Sequence, residues 1–276
     1  MYLPNSSFSN LTPGQEAQIR LEVGPTYDRI DLIMKAGVGA NAPANVPIDK
    51  WGDYIEWISL KPSSSAFGVE HIFNKVPADV FVKIALNYRR YEMTAGILPI
   101  FFQRLHALTP ADEDATRLGT VGLESLTLTV KLKTGITIER FESASKISGR
   151  RNYGPHMRLV EHIMDNTSQG DVEFTDMPKG PYGLMALHCD TDAMDRVRIR
   201  VNNSDIYDMD ALQRTADAKY RECSPQAGMT HIDMQQAGRM AEQLNMNVSS
   251  FRARFDRTAT GSFKIYAEVL HIPGVS

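Results

Sequence analysis

Cysteine is nearly missing from this sequence: Cys189 and Cys223 are the only two in 276 residues. No CxxC pair exists, which excludes a disulfide framework and a cysteine-built metal or redox centre. A basic surplus is missing too. Lys and Arg number 30 against 33 Asp and Glu, for a net charge of −3, so the positive face of a nucleic-acid binder is absent. The short run Lys146–Arg151 reads as a solvated linker. Long apolar runs are lacking; Ile97–Phe102 and Gly183–Leu187 are far too short to cross a bilayer. The opening Met1-Tyr-Leu-Pro-Asn-Ser-Ser7 has neither a basic n-region nor an apolar h-region, so no signal peptide is read and synthesis in the cytosol is expected.

Catalytic motifs are also wanting. His71, His106, His156, His162, His188, His231 and His271 show neither the spacing of a metalloprotease helix nor a His-x-His metal set. There is no Gly-x-Ser-x-Gly elbow and no phosphate loop, and Gly37-Val-Gly39 is a loop rather than a dinucleotide fingerprint. His188-Cys189-Asp190 reads as a strand entering a turn. No catalytic or cofactor-binding residue is assigned, and no cofactor is required. Three carboxylate clusters (Asp190/Asp192/Asp195, Asp205/Asp208/Asp210 and Asp112/Glu113/Asp114) offer oxygens of the kind calcium takes, but none follows the EF-hand spacing. Solvated turns and a helix N-cap at Asp208 or Asp210 account for most of them. Structural calcium is the one ion left open, with its ligands unassigned.

What is present is alternation. In Leu118–Lys133, Leu126, Leu128, Val130 and Leu132 fall on one side of an extended chain and Thr127, Thr129, Lys131 and Lys133 on the other, with Gly119 and Gly122 punctuating the entry. This strand is read as closing a first β-rich unit. Before it, residues 1–14 read as a polar arm, 15–23 and 27–34 as strands, 36–47 as an exposed loop, 54–60 as a strand followed by a turn at 61–65, 97–104 as a buried strand whose Pro99 argues for an edge or a bulge, and 110–114 as an acidic loop. Val80, Ile84, Tyr88 and Tyr91 mark a helix face. After it, extended segments at 157–164, 171–174, 180–188, 196–201, 229–234, 251–257 and 262–272 surround a second helical face, Leu212/Ala216/Tyr220/Cys223.

A shift of 132 positions lays Tyr88-Arg89 on Tyr220-Arg221, Ala95-Gly96 on Ala227-Gly228 and Ile100 on Ile232, five identities in a 24-residue window. The shared order of elements points to a duplicated fold. The expected class is all-β: two tandem eight-stranded jelly rolls, each with a short inserted helix. The first is placed at residues 1–136 and the second at 137–276, with the small, charged stretch 143–152 as the boundary region.

In that order of elements the chain resembles the double jelly-roll major capsid proteins of tailless, membrane-containing phages, the corticovirus kind in particular. The match runs through Gly24-Pro-Thr-Tyr27 to Ile30-Asp31-Leu32 and through Leu118-Gly-Thr-Val-Gly-Leu123. It continues along 171–188 with Asp176-Met-Pro178, and from 210–220 to 265–269. The loops 36–47 and 65–77 depart from it. The resemblance implies a homotrimer of pseudo-hexagonal outline in an icosahedral shell over an internal lipid membrane. It implies strands standing roughly perpendicular to that shell and an ability to bind calcium. Implied partners are neighbouring capsomers, penton or spike proteins and minor membrane-associated capsid proteins, with no direct nucleic-acid contact. The location implied is the virion, after synthesis in the host cytoplasm. The N-terminal arm and Arg150-Arg151 become candidates for contact with membrane or neighbours, and Phe67 and Tyr153 for interface aromatics. The Tyr88/Tyr91 and Tyr220 helices are expected within their jelly rolls or at trimer seams. The competing reading is a receptor- or carbohydrate-binding β-sandwich, which Trp51 and Trp57 alone would have to serve; an enzyme on a double barrel would need the missing His/Glu set.

Overall fold

The computed structural model describes residues 1–165, 168–235 and 239–273. The chain divides into two compact units, one of residues 1–87 with 91–157 and one of residues 158–276 with Tyr88–Arg90. Each is built of two antiparallel sheets, as the all-β jelly-roll expectation requires.

In the first unit, the long strand Pro25–Val38 lies beside Ile136–Arg150 over thirteen paired positions. Ile97–Phe101 and Leu118–Gly119 pair with Pro25–Val38 as well. The second sheet runs Phe73–Pro77, Ile55–Ser64, Ser125–Leu132, Glu16–Leu21. The midpoint strand behaves as its alternation requires: Leu126, Leu128, Val130 and Leu132 are buried, with Leu126 opposite Leu21, Leu128 between Ile19 and Leu60, Val130 opposite Ile58 and Leu132 opposite Ile55.

Five expectations need correction here. The midpoint strand does not close the unit, because Ile136–Arg150 follows it and is hydrogen-bonded to Pro25–Val38; the division placed at 136/137 therefore falls after residue 150. The run Lys146–Arg151, read as a linker, is strand through Arg150 because Lys146, Ile147, Ser148 and Arg150 pair with Arg29, Tyr27, Thr26 and Pro25. The polar arm is tied down: Tyr2–Pro4 pairs with Ala144–Lys146, and Phe8 stacks on Phe141 with ring centroids 4.5 Å apart. Residues 61–64 extend the Ile55–Ser64 strand instead of turning, and Pro110–Asp114 is a short helix whose first turn is capped by the Thr109 hydroxyl.

The segment read as one helix is α-helical over Ala78–Phe81 and widens to an i→i+5 winding over Val82–Asn87. It stops short of Tyr88, and Tyr88–Arg90 then pack as part of the second unit, with Arg90 in the left-handed region (φ 56°) where the chain reverses.

In the second unit one sheet is ordered Thr230–Asp233, Gly183–Cys189, Phe263–His271, His156–Met164. The other is ordered Gly170–Phe174, Phe251–Arg257, Met194–Val201, Ser204–Asp210. Between them Phe174, Leu184, Leu187, Val197, Ile199, Phe255 and Ile265 form the core. The helix Ala211–Tyr220 starts at Asp210, whose carboxylate accepts from the Gln213 N–H while the Gln213 side chain accepts from the Asp210 N–H. Its buried side chains are Arg214 and Ala218, not the expected Leu212 and Tyr220, which are 79% and 84% exposed. Arg214 wins the inward position because its guanidinium closes three orphan carbonyls, on Met194, Asp195 and Met209.

Candidate functional site

The chemistry-bearing residues converge on the second unit, on the outer face of its Gly183–Cys189 strand. That strand is buried throughout and flanked on both sides. His188 lies opposite His231 on one neighbour and opposite Tyr266 on the other; Ala186 lies opposite Asp233 and Glu268. Successive even positions share a face, so two carboxylates stand on either side of one small residue. Arg89 fills that gap. Its Nη1 donates to Asp233 Oδ2 at 2.6 Å, and its Nη2 lies 3.6 Å from Glu268 Oε2. Burial alone would lower this guanidinium, but Asp233 and then Glu268 outweigh it and hold its pKa above the ordinary value.

The adjacent histidines have a definite proton order. The Gln226 N–H donates to Nε2 of His231, so that nitrogen presents a lone pair and the proton sits on Nδ1. His231 Nδ1 then donates to His188 Nδ1 at 2.7 Å, which leaves the His188 proton on Nε2, 3.4 Å from Glu268 Oε1. Tyr88 stacks on His231 at 4.1 Å and meets His188 edge-on. Burial first, then the His188 and Arg89 neighbours, push the His231 pKa down to about 2, so its imidazole is neutral. Burial and Asp233 raise the Tyr88 phenol. The result is a buried, proton-ordered network that orients polar groups and locks a chain excursion onto the sheet.

Sequence reading passed over this network. Its signal was a pair of ionisable residues at alternate positions, His231 and Asp233, in the short strand Thr230–Asp233, with Glu268 in Phe263–His271. The Tyr88-Arg89/Tyr220-Arg221 echo carried a different meaning from the one expected. Tyr88 is buried whereas Tyr220 faces solvent, yet Arg221 Nη1 reaches within 3.8 Å of the Asp233 carboxylate that Arg89 holds.

The candidate carboxylates are occupied locally. Asp190 accepts from the Lys264 N–H, Asp192 from the Gly228 N–H, and Asp210 caps its helix. Asp205 and Asp208 hold Arg200 and Arg196, Asp112 bonds Thr109, and Asp114 holds Arg117. Among the described residues, no three His, Cys, Asp or Glu side chains come together as a metal site. Phe67 and Tyr153, expected as interface aromatics, stack on each other at 5.0 Å within the first unit. Arg151 donates to the Asp114 carbonyl. Trp51 is fully buried and Trp57 lies under Lys75 at 5.2 Å, so neither offers the shallow aromatic platform of a sugar site.

Two strings that carried the resemblance meet in space. Thr120 Oγ1 accepts from the Gly24 N–H at 2.7 Å and donates to the Pro25 carbonyl at 2.5 Å. Gly119 lies so close to the Arg151 and Asn152 carbonyls that any Cβ would strike them, and Gly122 takes φ +93°. Leu118–Leu123 is thus a clasp between the Pro25–Val38 strand and the segment leaving Ile136–Arg150.

Comparison with known proteins agrees with this architecture. The major capsid protein P2 of bacteriophage PM2 superposes with a TM-score of 0.82 at 16% identity, over 99% of this chain and 97% of that one. A chain from the Sulfolobus Turreted Icosahedral Virus structure gives 0.69 at 10% identity, over 99% and 91%. The PBCV-1 virus capsid gives 0.55 at 11%, over 99% and 94%. At such identities the likeness is one of fold, the double jelly roll. No curated protein matches the chain in sequence. Residues 2–149 match the model of the viral coat protein P2 N-terminal domain and residues 157–273 that of its C-terminal domain, with the interval between the matches lying after residue 136. The chain belongs to the viral coat protein P2 family and is a capsid component of the virion.

Proposed function

We propose that this coat protein assembles as a homotrimer whose capsomers have a pseudo-hexagonal outline and tile an icosahedral shell over an internal lipid membrane, with no catalytic role. The observation that supports this reading is the presence of two double-sheeted units in one chain, so that three chains supply six. A closed three-fold ring, built from two different and mutually complementary surfaces on each copy, asks for broad contacts and no reactive pocket. On the Ala211–Tyr220 helix, Leu212 and Tyr220 stand open in the single chain with Ala216 half-buried between them, and we assign this face to the seam between copies. Penton or spike proteins and membrane-associated minor proteins are the further partners. Structural calcium is part of the same proposal, with its ligands unassigned.

Light scattering after size exclusion tests the reading. The expected species is near three times 30.8 kDa. Its loss on chelation, with recovery on added calcium, assigns the ion to assembly. A monomer under every condition overturns the trimer.

A further inference from the structure

A cleft of about 290 Å³ opens in the second unit, away from the buried network. Its floor comes from Arg158, Val160 and His162, which share one face of the His156–Met164 strand, with Val269 and His271 from Phe263–His271. Its roof is the loop Met177–Tyr182, which includes the Met177-Pro178 pair of a string that matched the capsid family. Val160, Met177, Pro178, Pro181 and Val269 make the lining mostly apolar.

Three polar atoms in this lining are buried without a hydrogen-bond partner: the donors Arg158 Nε and Tyr182 Oη, and His162 Nε2, which donates when the ring proton sits on it. Leaving a buried polar group unpaired costs more than a typical made hydrogen bond contributes, so three around one cleft describe a site awaiting an acceptor. Arg158 and Lys179 give the cleft positive charge, and no carboxylate lines it. Asp176, the nearest acidic neighbour in sequence, lies outside the lining.

We propose that this cleft binds an amphipathic monoanion, a carboxylate on an aliphatic tail, with the head on Arg158, His162 and Tyr182 and the tail against Val160, Met177, Pro181 and Val269. At the ~30 Å³ that a water-sized group occupies in a liquid, the volume takes on the order of ten heavy atoms, which admits a medium-chain fatty acid and excludes a whole diacyl lipid. A carboxylate has about four lone-pair positions, enough for all three donors.

The test is calorimetric titration of the purified full-length protein with decanoate, and with decanol as the uncharged control. Decanoate is expected to bind in the sub-millimolar range and decanol roughly tenfold or more weaker, the value of a charge-assisted hydrogen bond. Tyr182→Phe keeps the ring and removes only the unpartnered hydroxyl. It is expected to weaken decanoate about tenfold without lowering the melting temperature of the free protein. Arg158→Gln weakens it further. Equal affinity for decanol and decanoate, unchanged affinity in both variants, or no heat with millimolar decanoate overturns the proposal. The trimer mass is a separate readout, so failure here leaves the assembly reading intact.

Discussion

Two regions of the second unit are made from the same residue types and do opposite things. On the outer face of the four-stranded sheet, the central strands Met194–Val201 and Phe251–Arg257 carry Arg196, Arg198, Arg200, Arg252 and Arg254. The strands flanking them supply Asp171, Glu173, Asp205 and Asp208. Arg198 lies opposite Arg254 and Arg200 opposite Arg252, a like-charge arrangement made tolerable by the carboxylates on either side. On the other sheet, Arg89 meets Asp233 and Glu268 with side chains only 6%, 2% and 7% exposed. Water screens the first set and is excluded from the second. Coulomb energy at a given distance scales inversely with the effective dielectric, so the ladder makes a soluble, adjustable surface and the buried triad makes a lock.

The largest effect is expected from breaking the lock. Arg89→Met removes the cation and leaves Asp233 and Glu268 buried without it; the cost should be about 3–5 kcal/mol. Urea unfolding of the variant measures it. Neutralising the carboxylates as well, with Asp233→Asn and Glu268→Gln, should recover much of that loss, because the penalty belongs to unpaired charge rather than to absent attraction. A loss below 1 kcal/mol for Arg89→Met would put the triad on the same footing as the ladder.

The difference between these regions also explains what could be read from sequence. The ladder strands were legible because strict alternation of Arg with Val and Ile leaves one face wet and one dry, as in Arg196–Val201. The midpoint strand was legible for the same reason. Tyr88-Arg89 was not, since a helical period suggested an apolar face where the chain leaves its helix to pack with another unit; only tertiary placement shows that. Leu212 and Tyr220 misled in the reverse direction. Their spacing fits an inward face, but Arg214 takes the inside because it closes backbone carbonyls. The tie of Tyr2–Pro4 to residues 144–146 was hidden because a three-residue edge strand has too short a period to register. His188 and His231 come from strands distant in sequence, so their pairing has no local pattern.

A middle-sized effect follows from acid. His231 is neutral in the fold, with a pKa of about 2, against about 6.5 when unfolded. Above pH 6.5 neither state binds the proton and nothing is lost. Below it the unfolded chain binds a proton that the fold refuses, so stability falls by about 1.4 kcal/mol per pH unit, down toward the folded pKa. At pH 4.5 this single group should cost about 2.7 kcal/mol. Arg89, Glu268, Tyr88 and His188 all face it, and the first and last oppose its protonation. His231→Gln can still bond His188 but cannot titrate. Its stability-against-pH slope between pH 6 and 4.5 should therefore be shallower than that of the parent by close to one proton. Identical slopes would mean that His231 is already charged in the fold.

The smallest effect is expected on the ladder, and its smallness is the informative part. Arg200 Nε lies 2.9 Å from Asp205 Oδ1, with a second contact from Nη2 at 3.3 Å, but both side chains are about half exposed. A double-mutant cycle with Arg200→Gln and Asp205→Asn should return a coupling of about 0.2–1 kcal/mol. In 1 M salt, where the screening length shrinks to about 3 Å, that coupling should approach zero. The same salt should leave the Arg89–Asp233 coupling nearly untouched. Should the ladder coupling exceed 2 kcal/mol and ignore salt, the five arginines would be acting as one network, and burial would no longer be what separates the two faces.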